Sequence, residues 1–512
     1  MKLVTGGELL AMALARQGAR HVFSISGGQL ATVYDAMGRH PDMEVVTPRC
    51  ETSAPLMACG YAAASGRPGV SMTTVGAGVV YEAAGLLYAW QNYLPVMSVA
   101  PQVQSWKIRP FQESLQACGQ DELYPPMTRF AAIGHHWDRV PSLVDHAFRE
   151  AVAGVPGPVH LDFPVDVLFA RKFLTEKRRA RLFPPVEHTR APASVPGDPA
   201  ALREAAALLK TWKQPVVILG QSMGLAGRFP GVLDSLAELG PPVVTTRASS
   251  GAYGPRAGQS LVLFRSPGVR GFLEQADGFV VLGMDPDAAQ ILDLARRNLA
   301  VIQVETDPRA LVRRSGYLSV QADPESAARA WMSKIGGRKN WSRIFSAGLR
   351  TLAAGAAGPV SGLAPAMGSL ARDLAVGDIL VAEDGRAALA AASFLASVPF
   401  RTFLTQGRAA AGAGLPFAVG AALGSPGARV VLAADGESLF HHLRELFPAA
   451  CLNLDLTILC VDSDGEPGIS GEAARAAAAL GWPVEELAPG AALPPGSLAP
   501  KTGPCFFRVM EG

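Results

Sequence analysis

Short runs rich in Val, Ile and Leu alternate with stretches of helical spacing in three successive blocks of the 512-residue chain. Such alternation builds parallel strands in an open sheet with helices on both faces. The first block shows it best. Thr5–Gln17 carries Leu9, Leu10, Met12, Ala13 and Leu14 on an apolar face and predicts a helix. His21–Ile25 reads as a strand that Ser26-Gly27-Gly28 breaks. Helix Gln29–Arg39, strand Met43–Thr47, helix Glu51–Ala64, strand Gly69–Thr74, helix Val79–Tyr88 and strand Val96–Ala100 follow, and His160–Phe163 closes the block.

The alternation resumes at Pro215–Leu219, Pro242–Thr246, Gly278–Leu282 and Ala300–Val304. It returns a third time at Asp378–Val381, Arg429–Ala433 and Leu456–Val461, with helices at Leu415–Leu423, Leu439–Ala450 and Glu472–Leu480. The expected fold class is therefore α/β, with three consecutive open, mostly parallel-sheet domains at 1–170, 196–335 and 358–512. The stretches 171–195 and 336–357 are read as linkers. The first of them holds a basic cluster, Lys172, Lys177, Arg178, Arg179 and Arg181, followed by prolines, and reads as a solvated segment.

Composition bounds the partners. Hydrophobic residues make up 49% and charged ones 18%, which suits a large buried core. A net charge of +2 gives no reason to expect nucleic acid or an anionic membrane. None of the six cysteines forms a C-x-x-C pair, so neither a zinc site nor a disulfide scaffold is suggested. The start of the chain lacks a basic segment followed by an apolar run, and no stretch of ~20 residues is free of charges and turn formers. A cytoplasmic protein with reduced thiols is the expectation.

Ligands of open α/β sheets sit at the carboxyl ends of strands. The loops to search are Ser26–Gln29, Pro48–Thr52, Val75–Val80, Glu383–Ala387, Ala434–Ser438 and Asp462–Gly465. Glu51 opens a helix there, and its simplest role is that of an acid favoured at a helix N-terminus. Asp435-Gly436 is by itself an ordinary turn pair. The adjacent histidine pairs His135-His136 and His441-His442 do not share a face, which argues against metal binding there.

The surrounding text gives these residues more weight. Thr5-Gly-Gly-Glu-Leu-Leu, His21-Val-Phe-Ser-Ile-Ser-Gly-Gly-Gln-Leu, Arg49-Cys-Glu-Thr, Met57-Ala-Cys-Gly-Tyr-Ala and Gly66-Arg-Pro-Gly-Val follow one another. Val75-Gly-Ala-Gly, Ala89-Trp-Gln-Asn-Tyr-Leu-Pro-Val and Pro110-Phe-Gln-Glu come next, then Gln406–Ala422, Val430-Val-Leu-Ala-Ala-Asp-Gly and Leu456–Gly465. In order and spacing the chain resembles thiamine-diphosphate-dependent enzymes of the acetolactate synthase and benzaldehyde lyase type.

The resemblance implies pyrimidine-binding, central and diphosphate-binding domains in that order. It implies a decarboxylase or carboligase that uses thiamine diphosphate and Mg2+ on a 2-oxo acid or related carbonyl substrate through an enamine intermediate. Glu51 would bond a ring nitrogen of the aminopyrimidine, and Phe111 and Gln112 would line the catalytic centre. Gly28, Gln29, Gly385, Arg386, Ala411, Asp435, Gly436 and Glu437 would contact the cofactor. The metal would take Asp435, Ser463 and Gly465. The sites would lie at the interface of a homodimer or homotetramer, with Glu51 of one chain facing Asp435 of the other.

The chain also departs from the pattern. Cys50 stands where the family usually has histidine, and Tyr81 where it has asparagine. Ser463 replaces a ligand asparagine, with Asp462 before it. Ala411 replaces a large apolar wedge. Arg386-Ala387 replaces a polar pair that contacts diphosphate. The segment after Gly465 is short where the family carries a mobile lid. Gln29 replaces the histidine of benzaldehyde lyases. Gly283-Met284-Asp285 lacks an arginine tied to acceptor binding and the flavin region, which argues against standard acetolactate synthesis and puts FAD binding in doubt. Together these changes raise an alternative: a non-catalytic or repurposed homologue acting as a subunit partner or ligand-binding protein.

Overall fold

The computed structural model describes residues 2–109, 114–185, 195–223, 229–249, 260–262, 267–295, 300–335, 364–383, 385–394, 401–405, 410–462, 467–498 and 503–510. It contains three six-stranded sheets, each parallel throughout. The α/β class read from the alternation is what the chain folds into. Contacts divide the chain into two compact units. One comprises Met1–Ala193, Arg408–Pro426 and His442–Leu454, and the other comprises Ser194–Gly407, Gly427–His441 and Asp455–Gly512.

In the first unit the strand order is Glu44–Val46, His21–Ser24, Gly69–Met72, Val96–Gln102, Val159–Pro164 and Phe130–Ile133. The order reverses beside His21–Ser24, so the crevice at the carboxyl ends lies among the loops after the first three strands. Thr5 caps the helix Gly6–Arg16. Its hydroxyl accepts from the Glu8 N–H at 3.0 Å and the Glu8 carboxylate accepts from the Thr5 N–H at 2.7 Å. The helix Ser53–Ser65 is buried from Ser53 to Ala64 and packs on Gly414–Gly424, a helix of the same unit.

The second unit holds the other two sheets. Around the strand Pro215–Leu219 the order is Ser260–Val262, Val243–Thr245, Pro215–Leu219, Gly278–Leu282, Ala300–Glu305 and Tyr317–Gln321. In the last sheet it is Arg401–Thr405, Ile379–Glu383, Val430–Asp435, Leu456–Val461, Cys505–Val509 and Val484–Leu487.

Part of the first stretch read as linker is folded. Arg171–Leu174 is a strand paired antiparallel to Lys2–Thr5, and Glu176–Leu182 is a helix. Its basic cluster is partly committed, for Arg178 chelates Asp138 at 2.7 and 2.8 Å and its guanidinium lies 4.8 Å from the Trp137 ring centroid. The second linker, 336–357, lies outside the described residues. Among the described residues, no helix is long and apolar enough to cross a membrane.

Candidate active site

Three strand-end loops of the first unit meet where the sequence places Glu51. The chain leaves the strand Glu44–Val46 and turns through Arg49–Thr52 before the helix starts at Ser53. Glu51 is half-buried in that turn, two residues ahead of the helix, and its carbonyl accepts from the Ala54 N–H at 3.2 Å. The Thr52 hydroxyl donates to the Tyr81 carbonyl at 2.6 Å, tying the turn to the helix Ala77–Gln91. Gly78 lies against Glu51: a Cβ there would stand 3.6 Å from the Glu51 Cγ and 2.5 Å from the Thr73 hydroxyl. Gln29 joins from the third loop, with the Thr74 hydroxyl 3.4 Å from its Oε1 and its amide donating to the Gln116 side-chain Oε1 at 2.9 Å. Gly28 beside it is exposed.

The turn is also held from behind. The Arg49 N–H donates to both oxygens of the buried Glu445 at 3.0 and 3.1 Å. The Ser53 hydroxyl lies 3.0 Å from His442 Nδ1. Neither partner was singled out for this role in the sequence, because each stands about 390 residues away from the turn it supports. Burial holds the Glu445 carboxyl up at about 7.

In the second unit, Asp435 ends the strand Val430–Asp435. Its Oδ2 accepts from the Arg386 N–H at 2.9 Å and its Oδ1 from the Ala387 N–H at 3.1 Å, so it caps the helix Arg386–Phe394. Gly385 makes this possible. Its φ is +136°, and a Cβ there would fall 2.3 Å from the Asp435 Oδ2. Gly436 is buried, with room for a Cβ closed by Ser470 at 3.1 Å, and Glu437 is exposed.

Asp462 is spoken for. It is buried, ion-paired to Arg508 at 3.2 Å, and bonded to the Ser470 hydroxyl. Its carboxylate is thus engaged by partners within the fold. Ala411 is exposed on the turn before Gly414–Gly424. Phe111, Gln112, Ser463 and Gly465 lie outside the described residues. The helix Pro467–Ala479 begins six residues after the strand Leu456–Val461 ends, a short connection where a lid would be.

Residues 4–123 match the N-terminal TPP binding domain of thiamine pyrophosphate enzymes, 202–331 the central domain and 384–466 the C-terminal TPP binding domain. The chain belongs to the thiamine pyrophosphate enzyme family. It is an enzyme of the acetolactate synthase type. It is 27% identical over 478 residues to the acetolactate synthase isozyme 1 large subunit of Escherichia coli K12, covering 90% of this chain and 82% of that protein. Acetolactate synthase of Bacillus subtilis is 31% identical over 55% of this chain and 48% of its own length. The mitochondrial acetolactate synthase catalytic subunit of Aspergillus candidus is 26% identical over 90% of this chain and 71% of its own. These likenesses do not favour the reading as a non-catalytic homologue.

Glu51 and Asp435 both stand at strand ends, one in the region that matches the N-terminal TPP binding domain and the other in the region that matches the C-terminal one. Gly78 packs its bare backbone beside the Glu51 side chain, where a Cβ would stand 3.6 Å from the Glu51 Cγ. The Asp435 carboxylate is a hard oxygen donor of the kind a hard cation takes. Among the described residues, no group of three His, Cys, Asp or Glu side chains forms an all-protein metal cage. Magnesium held by one carboxylate, phosphates and water needs none.

A further acid lies beneath the glycine turn. Glu82 is fully buried; burial lifts its carboxyl from 4.5 to about 7, opposed by hydrogen bonds from Ser71 and Ser98. Between those values the folded chain holds a proton that the unfolded chain releases, so stability falls as pH rises from about 5 to 7 and then levels. Glu82→Gln removes that titration. The variant should gain about 2 kcal/mol on wild type at pH 8 relative to pH 5, read from urea unfolding at both. An unchanged difference between the two proteins at both pH values would show that Glu82 does not titrate in this window.

Proposed function

We propose that this enzyme uses thiamine diphosphate and Mg2+ to decarboxylate a 2-oxo acid or to join and split carbon–carbon bonds at a carbonyl. The observation that carries this is Glu51, seated beside Gly78 at the strand ends of the domain that matches the N-terminal TPP binding domain. Thiamine diphosphate, when bound, supplies a carbon nucleophile and an electron sink. The chain's part is to fold a slot for it and to manage protons. The Glu51 carboxyl would exchange a proton with the aminopyrimidine ring nitrogen. Asp435 would anchor Mg2+, with Gly385 and Gly436 letting the backbone come close.

The two ends belong to different units of the chain, and the reading places Glu51 of one protomer opposite Asp435 of another in a homodimer or homotetramer. The lack of that arginine at Gly283-Met284-Asp285 supports an acceptor other than that of acetolactate synthases. Asp285 is buried, accepts from the Thr246 hydroxyl at 2.6 Å, and caps the helix Pro286–Leu294 through the Ala288 N–H at 2.7 Å. A side chain so engaged does not reach for an acid.

Calorimetric titration with thiamine diphosphate tests the proposal. Saturable heat in Mg2+ that chelation with EDTA abolishes is the expected result. Asp435→Asn should weaken binding about tenfold or more, since a charged ligand becomes neutral. Absence of heat for folded wild-type protein would refute the reading, and Mg2+-independent binding would refute the role of Asp435.

A further inference from the structure

The glycine turn beside Glu51 is held by a buried polar chain that crosses the first unit's sheet. Register sets it up: Ser71 pairs with Ser98 and Ser98 with His160, so three polar side chains stand in one row across three parallel strands. All three are buried to within 1%. The helix Ala77–Gln91 lays Glu82 on this row. Glu82 accepts from the Ser71 hydroxyl at 2.5 Å and from the Ser98 hydroxyl at 3.0 Å. Ser98 lies 2.8 Å from His160 Nδ1, and His160 Nε2 lies 3.1 Å from Asp162 Oδ1.

The chain ends on Gln120, which is 0% exposed. Its Nε2 donates to Asp162 Oδ1 at 2.5 Å and to the Pro101 carbonyl at 3.3 Å. Its Oε1 accepts the backbone N–H of Gly76 at 3.0 Å. Gly76 is the first turn residue before the helix, with φ +76° and ψ −111°, and a Cβ there would meet the Gln116 carbonyl at 2.5 Å. Tyr124 adds a second pin. Its ring lies 3.9 Å from the His160 ring, and its hydroxyl donates to the Val79 carbonyl at 2.7 Å.

We propose that Gln120 is a positioning residue for Glu51: it clamps Gly76, and the buried chain Asp162–His160–Ser98–Glu82 orients its amide so that the turn Gly76–Gly78 keeps its shape behind the Glu51 side chain. The inference rests on reading Glu51 as the cofactor's partner. Burying two carboxyl groups, an imidazole and an amide costs more than an apolar core of that volume would. What the arrangement gains is direction. The Gln120 amide has its donor side taken by Asp162 and Pro101, so its oxygen faces Gly76 and cannot flip without leaving two buried bonds unmade. A turn at positive φ has few other ways to be held. The path then runs from Gln120 to Gly76, along the backbone to Gly78, and so to the place beside Glu51, whose Cγ lies 3.6 Å from where a Cβ on Gly78 would stand.

Hydrogen exchange of the full chain without cofactor tests the clamp directly. In wild type, peptides covering 73–80 should be protected to within about tenfold of those covering the strand Val96–Gln102. Exchange there at the rate of an open loop would overturn the proposal whatever the variants do. Gln120→Leu should raise exchange of 73–80 about tenfold or more and leave 6–16 unchanged. Gln120→Glu fills the same space but turns an acceptor toward Asp162 and the Pro101 carbonyl, so it should raise exchange of 73–80 as the leucine variant does, a change that a merely space-filling role would not give; full protection in it would show that those two bonds do not orient the amide. Equal exchange in Gln120→Leu and wild type would refute the clamp. Thiamine diphosphate titration of the same proteins separates the two readings. If wild type binds the cofactor and Gln120→Leu binds it about tenfold more weakly, the clamp serves the site. If wild type binds none, the reading of Glu51 fails while the exchange result still decides the clamp.

Discussion

Glu51→Gln is expected to cut turnover about a thousandfold while thiamine diphosphate affinity stays within about tenfold. The two side chains have one shape, so the packing around position 51 takes either. The difference lies in the proton. A carboxyl group can give a proton to a ring nitrogen and take it back, whereas an amide can donate a hydrogen bond but not exchange that proton at neutral pH. Binding, which needs a bond and a fitted slot, should therefore survive, and the step that needs a proton moved should not. Measuring the cofactor's dissociation constant and turnover on a panel of 2-oxo acids separates the two. Turnover within tenfold of wild type would remove Glu51 from the mechanism. Loss of turnover together with loss of binding would make it a structural part of the slot.

The alternation that fixes the fold class was plain in the sequence because each sheet is parallel and covered on both faces, which makes its central strands continuous apolar runs. Leu456–Val461 is found where it was read, and so is Pro215–Leu219. Among the described strands, Phe130–Ile133, Ser260–Val262, Tyr317–Gln321, Arg401–Thr405 and Val484–Leu487 escaped the reading and lie at sheet edges, and Cys505–Val509 escaped it although it lies inside its sheet. Leu439–Ala450, read as one helix, is broken into Gly436–His441, a 3-10 turn at Leu443–Glu445 and Leu446–Cys451. The break falls at His442, where the backbone leaves the helical region at φ −123° and the ring turns to Ser53. No local signal announces a partner 389 residues away.

The same limit applies to the site. The loops could be named because glycines and strand ends mark them. What holds them could not. Glu82 was legible only as a charge that interrupts an apolar stretch, since its partners Ser71, Ser98 and His160 become neighbours through strand register. Asp462 likewise takes its partner Arg508 from 46 residues on, through strands that only the fold brings together.

Gly60→Ala should destabilise the first unit by about 3 kcal/mol, and Gly60→Leu should prevent it from folding. The helices Ser53–Ser65 and Gly414–Gly424 meet backbone to backbone. A Cβ on Gly60 would stand 1.9 Å from the Phe417 carbonyl oxygen, and one on Gly420 would stand 1.8 Å from the Met57 carbonyl oxygen. Neither obstacle is the tip of a side chain that could swing away, so a methyl group forces the helix axes apart. Gly38→Ala is the control. It lies at the end of the helix Ala31–Gly38 with nothing within 4 Å of an added Cβ, and should be neutral or stabilising by a few tenths of a kcal/mol. Urea unfolding of the two variants side by side decides the matter: equal midpoints would mean that the helices do not approach so closely. The consequence reaches the chemistry as well. Ser53–Ser65 begins two residues after Glu51, so a helix pushed outward carries that carboxyl away from Gly78. A folded Gly60→Ala protein should accordingly lose turnover at saturating cofactor, because a displacement of about 1 Å at a catalytic group is enough to slow the reaction severely.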